Sequence, residues 1–277
     1  MAALEKTIAY AKERIQFGGP LVEKQGYTHQ LLVPSAVQLE AARAHIEVTA
    51  RRLDAGEEDL QVEGSVSKFF ATEAGDAAAN RAIQALGGYG YIREFEVEKI
   101  KRDIKITTIF EGTSEIQRSI ISTFRLRETV RSKGRFYLDM AERLDTVPEP
   151  CGAKLLAQAI RVLNEMILNA RRHKLTRSQY VMFLLADMIT WCEVAEALCH
   201  KATTSRGDGR SVEFLQAAAR LFARESATKV YVNGLKIAQG YEEKIDEVLP
   251  MLKALEISEV MVSVLQDMDR VAAELTR

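Results

Sequence analysis

Apolar residues recur at helical spacing along almost the whole chain, whereas the apolar and polar alternation of a half-buried strand is scarce. Only 5 prolines and 16 glycines interrupt the 277 residues. From Val181 to Leu198, for example, apolar residues advance by alternating steps of three and four, which keeps them on one face of a helix. The sequence therefore predicts an all-α fold.

The predicted helices lie near residues 2–17, 24–54, 63–86, 94–104, 114–145, 153–173, 177–203, 210–238 and 241–275. In the second of them, a stripe of apolar and small residues is expected to face the core: Leu32, Leu39, Ala42, Ile46, Thr49 and Leu53. Pro34 predicts either a kink in that helix or a late start, and Pro250 predicts a bend in the last one. The segment Asp145–Gly152 holds two prolines and a glycine, so it should separate two helical halves.

The overall charge gives no reason to expect nucleic acid as a partner, because 38 basic side chains face 39 acidic ones and the net charge is -1. Two local clusters are basic. One comprises Arg125, Arg127, Arg131, Lys133 and Arg135, and the other Arg171, Arg172, His173, Lys174 and Arg177. A solvated helix face is the simpler interpretation of both clusters, and contact with a membrane surface is the alternative.

The cysteines Cys151, Cys192 and Cys199 form no close pair, which fits a reducing compartment. Cys192, Cys199 and His200 could be imagined as metal ligands, but buried thiols on a core face explain the spacing more simply, so we predict no metal site. The first residues lack the apolar run of a signal peptide. The apolar stretch 181–199 carries three acidic residues, so we predict no membrane span.

Glu111 stands directly before Gly112, Thr113 and Ser114, which precede an apolar helical run. Ser114 with Gln117 three residues later has the pattern of a capping box. A carboxylate at a helix N-terminus interacts favourably with the helix dipole, so charge complementation alone can explain Glu111. A catalytic role is the alternative.

Two further segments combine glycine with polar or aromatic residues. The segment Gln84–Tyr91 is rich in glycine, but no strand precedes it, so it is not a dinucleotide fingerprint of the Rossmann type. A helix end with a turn is the simple interpretation, and exposed backbone N–H groups that meet a phosphate are the alternative. In the segment Arg14–Leu21, an arginine and a phenylalanine precede a Gly-Gly-Pro turn and could bind a phosphate and a ring.

Taken together and in this order, these segments resemble the C-terminal domain of the acyl-CoA dehydrogenases. The match consists of the Arg14-x-x-Phe17-Gly18 turn, the Gln84-x-Leu86-Gly87-Gly88-x-Gly90 segment and the run from Phe110 to Arg118. The resemblance covers residues 1–125 and implies an up-and-down helical bundle there. Residues 126–277 resemble the helical extension of very-long-chain-type members, in position and helicity only.

The resemblance implies the α,β-dehydrogenation of an acyl-CoA thioester, as in fatty acid β-oxidation, with FAD as the cofactor. Glu111 matches the position of the catalytic base, and Thr113 and Glu115 match positions that contact the flavin. An electron-transfer flavoprotein would then accept the electrons. The compartment implied is the cytoplasm, or the mitochondrial matrix in a eukaryote.

In the family, the adenosine diphosphate end of FAD reaches a neighbouring subunit. The residues that match this contact set are Arg14, Phe17, Gln84, Gly87 and Gly88, and Gln25 matches a further cofactor position. The resemblance therefore implies a homodimer or a larger homo-oligomer. Phe110, Gly19 and Pro34 differ from the residues that are usual at these positions in the family. The shape of the acyl pocket is expected to differ accordingly.

Family members also carry an N-terminal helical domain and a middle β-domain before this region. From the sequence we expect the chain to be a fragment of such an enzyme or one subunit of a split enzyme. The alternative is a non-catalytic helical module that serves dimerisation or assembly.

Overall fold

The structure, a computed structural model, describes residues 1–148, 150–205, 209–240 and 246–277. In chain order its α-helices are α1 (Ala2–Glu13), α2 (Gln25–Tyr27), α3 (Val33–Asp54), α4 (Gln61–Leu86), α5 (Gly88–Tyr91), α6 (Val97–Lys105), α7 (Ser114–Arg131), α8 (Arg135–Asp145), α9 (Ala153–Arg172), α10 (Gln179–Thr204), α11 (Val212–Gln239), α12 (Leu249–Lys253), α13 (Ile257–Val260) and α14 (Val264–Leu275). Two strands of two residues each, β1 (Ile15–Gln16) and β2 (Gly19–Pro20), pair antiparallel in a small hairpin. The predicted all-α class is confirmed.

The helices form one bundle that is continuous across both halves of the chain. In the first half, α4 packs against α1, α3, α6 and α7. In the second half, α10 and α11 pack against each other and against α3, and α10 also packs against α7. One apolar cluster holds buried residues of both halves, for example Val66 and Leu185. Residues 126–277 thus pack directly on the first 125 residues. Helix α7 also runs without interruption across residue 125.

Several helices are shorter than the periodicity predicted. Helix α1 ends at Glu13 because Arg14 is extended and leads into the hairpin, where Phe17 has a φ of 51°. The predicted helix over 114–145 is broken into α7 and α8, since Lys133 and Gly134 adopt positive φ angles of 52° and 85°. The last predicted helix is likewise divided into short pieces. Pro250 lies in the first turn of α12, and residues 241–245 of that prediction lie outside the described residues.

Helix α3 differs from the prediction in where it starts and in which of its residues are buried. A π-helical turn over Thr28–Leu32 precedes α3, and Pro34 lies in the first turn, so the late start is confirmed. Ile46 and Leu53 are 44% and 63% exposed, however, so the stripe predicted to face the core is wrong at these positions. Because α3 packs against α4, α10 and α11, its buried residues lie on more than one side of the helix. On α10, the predicted face from Val181 to Leu198 is buried as expected except at Trp191, which is partly buried.

A buried ionic cluster joins the two halves. Arg125, only 7% exposed, donates to both carboxylate oxygens of Glu193 at 2.7 and 2.9 Å and to Glu63 at 3.0 Å. The hydroxyl of Tyr137 donates to Glu193 at 2.9 Å. Burial by itself would raise the pKa of Glu63, but the neighbouring Arg125 guanidinium outweighs it and lowers that pKa. Arg125 therefore does not belong to a solvated basic face, whereas Arg127 does.

The three cysteine side chains are buried among apolar helices, as predicted. Within residues 1–148, 150–205, 209–240 and 246–277, no group of three or more His, Cys, Asp or Glu residues is arranged to hold a metal ion. In the same part of the chain, no helix has the length and apolarity needed to cross a bilayer.

Candidate functional site

The candidate site centres on the loop between the 3₁₀ turn Ile106–Thr108 and α7. Glu111 and Gly112 in this loop both have positive φ angles, 51° and 91°. Such an angle is uncommon for a residue with a side chain, and a strained backbone of this kind persists only where its surroundings hold it. At Gly112 the φ angle favours glycine, and a Cβ atom there would lie 2.7 Å from Nε2 of Gln117, so a larger residue would displace this side chain.

Side chains from two helices hold the backbone of this loop. Lys68 on α4 donates from Nζ to the carbonyl oxygen of Gly112 at 2.6 Å. Gln117 on α7 donates from Nε2 to the carbonyl oxygen of Glu111 at 3.1 Å. In a third hydrogen bond, the hydroxyl of Ser114 donates to a carboxylate oxygen of Glu73 on α4 at 2.5 Å. The backbone around Glu111 is thus fixed by α4 and α7, while the side chain of Glu111 itself is exposed.

The N-terminus of α7 differs from the predicted capping box. The capping residue is Thr113, whose hydroxyl accepts from the backbone N–H of Ile116 at 3.4 Å. Ser114 lies inside the first turn, and Gln117 bonds to loop carbonyls instead of a cap N–H. The sequence pattern was misread by one position because Thr and Ser are equally good caps. Hydrogen bonds from its own backbone and from Thr113 lower the pKa of Glu115.

Exposed apolar side chains flank Glu111 in sequence. Ile109 and Phe110 precede it, and Ile116 follows on the first turn of α7; all three are about half exposed. Together with the carboxylate they form a surface that is apolar around one acidic group. An apolar surface of this kind is typical of a contact with another domain or a ligand.

A second group of predicted site residues surrounds the hairpin and the end of α4. Arg14 and Gln84 are exposed, and Phe17 is 91% exposed at the tip of the hairpin. An aromatic ring so fully in water has no structural role within the described part of the chain. Gln25, in contrast, donates to Asp269 on α14 at 3.2 Å.

The three glycines after α4 have different surroundings. Gly90 is required by packing, because a Cβ there would lie 2.3 Å from the carbonyl oxygen of Ile83. A Cβ at Gly87 or Gly88 would meet no atom within 4 Å. Gly87 has a φ of 59°, so it opens a turn at the surface. The backbone of Gly87 and Gly88 is therefore open to a group that approaches from outside.

The two groups lie at opposite ends of α4. Lys68, which holds the Glu111 loop, and Gln84 are separated along this helix by about 24 Å at the usual rise of ~1.5 Å per residue. In the structure, Glu111, Thr113 and Glu115 thus lie together. The other predicted site residues lie at a different end of the bundle: Arg14, Phe17, Gln84, Gly87 and Gly88. Lys68 and Glu73 were missed by sequence reasoning. The available signal was a lysine directly before the buried residues Phe69 and Phe70.

The first part of the chain is similar in sequence to known proteins. Residues 1–125 match the family model described as acyl-CoA dehydrogenase, C-terminal domain. An acyl-CoA dehydrogenase of Bacillus subtilis is 44% identical over 128 residues, which is 46% of this chain and 33% of that protein. The caffeyl-CoA reductase-Etf complex subunit CarC of Acetobacterium woodii is 38% identical over 126 residues, with 46% and 33% covered. The chain thus spans about one third of the length of these relatives.

A solved structure resembles almost the whole chain. The crystal structure of an acyl-CoA dehydrogenase complexed with FAD from Bacillus anthracis matches with a TM-score of 0.82 and 20% identity, over 99% of this chain and 53% of that one. At this identity the likeness concerns the fold, and it includes residues 126–277. Residues 1–125 therefore belong to the acyl-CoA dehydrogenase family, as its C-terminal domain.

Proposed function

We propose that this chain supplies the catalytic base of an FAD-dependent acyl-CoA dehydrogenase and that Glu111 is this base. The observation that carries the proposal is the loop around Glu111. Its carboxylate is exposed on a strained backbone that Lys68 and Gln117 hold in place. Strain of this kind is typical of functional sites.

The residues of the chain fit the cofactor at two places. Thr113 and Glu115 lie beside Glu111 at the start of α7, where the flavin ring would lie. Near the C-terminal end of α4, the guanidinium of Arg14 suits a diphosphate, and the absence of a Cβ at Gly87 and Gly88 leaves room for it to approach the backbone. The family resemblance supports the assignment of the two places to two different FAD molecules, and hence a homodimer or larger assembly.

In the proposed reaction the carboxylate of Glu111 removes the α-proton of the acyl thioester. The flavin supplies the acceptor for the hydride that leaves the β-carbon, so the products are a 2-enoyl-CoA, protonated Glu111 and reduced cofactor. The exposed apolar side chains beside Glu111 would exclude water once substrate and neighbouring segments cover them. In this proposal the remaining walls of the site come from segments or subunits other than these 277 residues.

The proposed substrate is an acyl-CoA, and the proposed electron acceptor is an electron-transfer flavoprotein. One of the relatives is named as a subunit of a CoA-thioester reductase complex with such a flavoprotein, which supports the choice. A role in fatty acid β-oxidation, in the cytoplasm or the mitochondrial matrix, would be consistent with this chemistry.

The test uses the full-length protein that the gene encodes. Replacement of Glu111 by Gln should abolish reduction of the flavin by acyl-CoA while the flavin absorbance of the purified protein stays unchanged. Glu58→Gln, an exposed carboxylate outside the site, is the matched control and should leave turnover unchanged. Turnover retained in Glu111→Gln would refute the assignment. A wild-type protein with neither flavin nor turnover would favour the alternative of a non-catalytic assembly module.

A further inference from the structure

A cavity of about 440 Å³ lies between α3, α10, α11 and the segment from α13 to α14. Its walls are mainly apolar: Val33, Val37, Trp191, Val232, Val264 and Met268. Glu111, Lys68 and Gln117 do not line it, so it is separate from the site described above. The volume lies within the range of about 300–1,000 Å³ that is typical of small-molecule pockets.

Two lysines of α11 line this cavity, the partly buried Lys229 and the exposed Lys236. Lys229 and Lys236 are seven residues apart, so both project from the same face of the helix about two turns apart. Among the described residues, no carboxylate oxygen lies within 4.0 Å of either ammonium group. Nζ of Lys229 lies 5.2 Å from the centre of the Trp191 ring, in a cation–π contact. The cavity thus combines apolar walls with two positive charges, neither of which is paired at close range by a carboxylate of the described residues.

The other charged groups of the cavity have partners. Arg224 donates to Asp267 at 2.6 Å and to the carbonyl oxygen of Val260 at 2.8 Å, so its charge is matched. Glu225 accepts from Gln38 at 3.5 Å, and burial raises the pKa of Glu225 although nearby Arg81 and Lys229 act against it. Lys229 is therefore partly balanced by Glu225, and Lys236 is the lysine with the least compensated charge.

We propose that this cavity binds an aliphatic monocarboxylate of about ten carbons, with its chain against the apolar walls and its carboxylate on Lys236. A volume of 440 Å³ holds about 15 groups of roughly 30 Å³ each, which is enough for such a chain. A polyanion would place most of its charges against apolar side chains, which is unfavourable. A neutral hydrocarbon would have no charge to interact with the two lysine ammonium groups. The proposal is independent of the role of Glu111.

Trp191 is the single tryptophan of the chain and lines the cavity, so it reports directly on occupancy. Sodium decanoate, added below its micelle-forming concentration, should change the emission of Trp191 in a saturable way. Lys236→Met should weaken this binding about tenfold, and 1-decanol should bind the wild-type protein about tenfold more weakly than decanoate. Val264→Phe, which fills part of the cavity, should also weaken binding.

Lys154→Met is the matched control, because Lys154 is exposed on α9 and does not line the cavity. It should bind decanoate as the wild-type protein does, and so should Glu111→Gln, whatever its effect on turnover. No saturable change of Trp191 emission would overturn the proposal. Equal binding of decanoate and 1-decanol by the wild-type protein would also overturn it, and this comparison needs no folded variant.

Discussion

Nζ of Lys68 lies 2.6 Å from the carbonyl oxygen of Gly112, although the two residues are 44 positions apart in the chain. This contact fixes the peptide between Gly112 and Thr113 to the N-terminal half of α4. A charged donor makes a stronger hydrogen bond than a neutral one, and here it holds a backbone with two consecutive positive φ angles.

Replacement of Lys68 by Met should lower the turnover of the full-length protein by about ten- to a hundredfold, because the Glu111 carboxylate would no longer be held in a productive position. The flavin content and the KM for acyl-CoA should change little, since Lys68 is proposed to act through the loop only. Lys68→Arg should restore part of the activity. Steady-state kinetics that gave equal kcat values for Lys68→Met and the wild-type protein would contradict this role.

Gly112→Ala should be more destabilising than an alanine at another glycine with a similar backbone angle. Gly112 has a φ of 91° and a Cβ there would meet Gln117, whereas Gly56 has a φ of 86° and a Cβ there would meet nothing within 4 Å. The conformational strain is thus common to both variants, and the steric conflict belongs to Gly112 alone. We expect Gly112→Ala to lose about 1–2 kcal/mol more than Gly56→Ala in urea unfolding. Equal losses would mean that Gln117 moves aside freely.

The buried Arg125 should be essential for stability, and the exposed Arg127 two positions later should not. Arg125→Met leaves the buried carboxylate of Glu193 without a guanidinium partner and leaves Glu63 with Arg52 alone, so a loss of about 3–5 kcal/mol is expected. Arg127→Met should change stability by less than about 0.5 kcal/mol. Chemical unfolding at pH 7 measures both values, and a small effect of Arg125→Met would mean that water reaches the cluster.

His45 should make the fold less stable as the pH falls below about 6.5. Burial lowers the pKa of His45 below its ordinary value, and Oγ of Ser67 lies 2.9 Å from Nδ1 of its ring. Between the lowered folded pKa and ~6.5, the unfolded chain binds more protons than the folded one, so stability rises with pH in that window by at most about 1.4 kcal/mol per unit.

His45→Asn should therefore reduce the difference in unfolding free energy between pH 5.5 and pH 7.5. His173→Asn, on an exposed turn after α9, is the control and should leave that difference as it is in the wild-type protein. The same difference in His45→Asn as in the wild-type protein would show that other groups cause the pH dependence.

Local sequence patterns predicted the helical class and the position of the Glu111 loop, because both depend on residues close together in the chain. The buried face of α10 was also predicted, since its apolar residues lie on one stripe. The stripe on α3 was misassigned at Ile46 and Leu53 because packing against several helices distributes burial around α3.

Contacts between distant residues could not be predicted from local patterns. Lys68 has no motif of its own, and its role depends on the packing of α4 beside α7. Arg125 was grouped with neighbouring basic residues because its partners Glu63 and Glu193 are 62 and 68 positions away. In both cases the sequence contains the charges, but only the tertiary structure pairs them.

Helix α7 carries Gln117, which holds the Glu111 loop, and Arg125, which is bound to Glu193 of the extension. Adding or deleting one residue between these two positions would turn one end of the helix by about 100° relative to the other. Either the loop or the ionic cluster would then lose its contacts. Insertions and deletions should therefore be rejected within this helix, so that its length is set jointly by both halves of the protein.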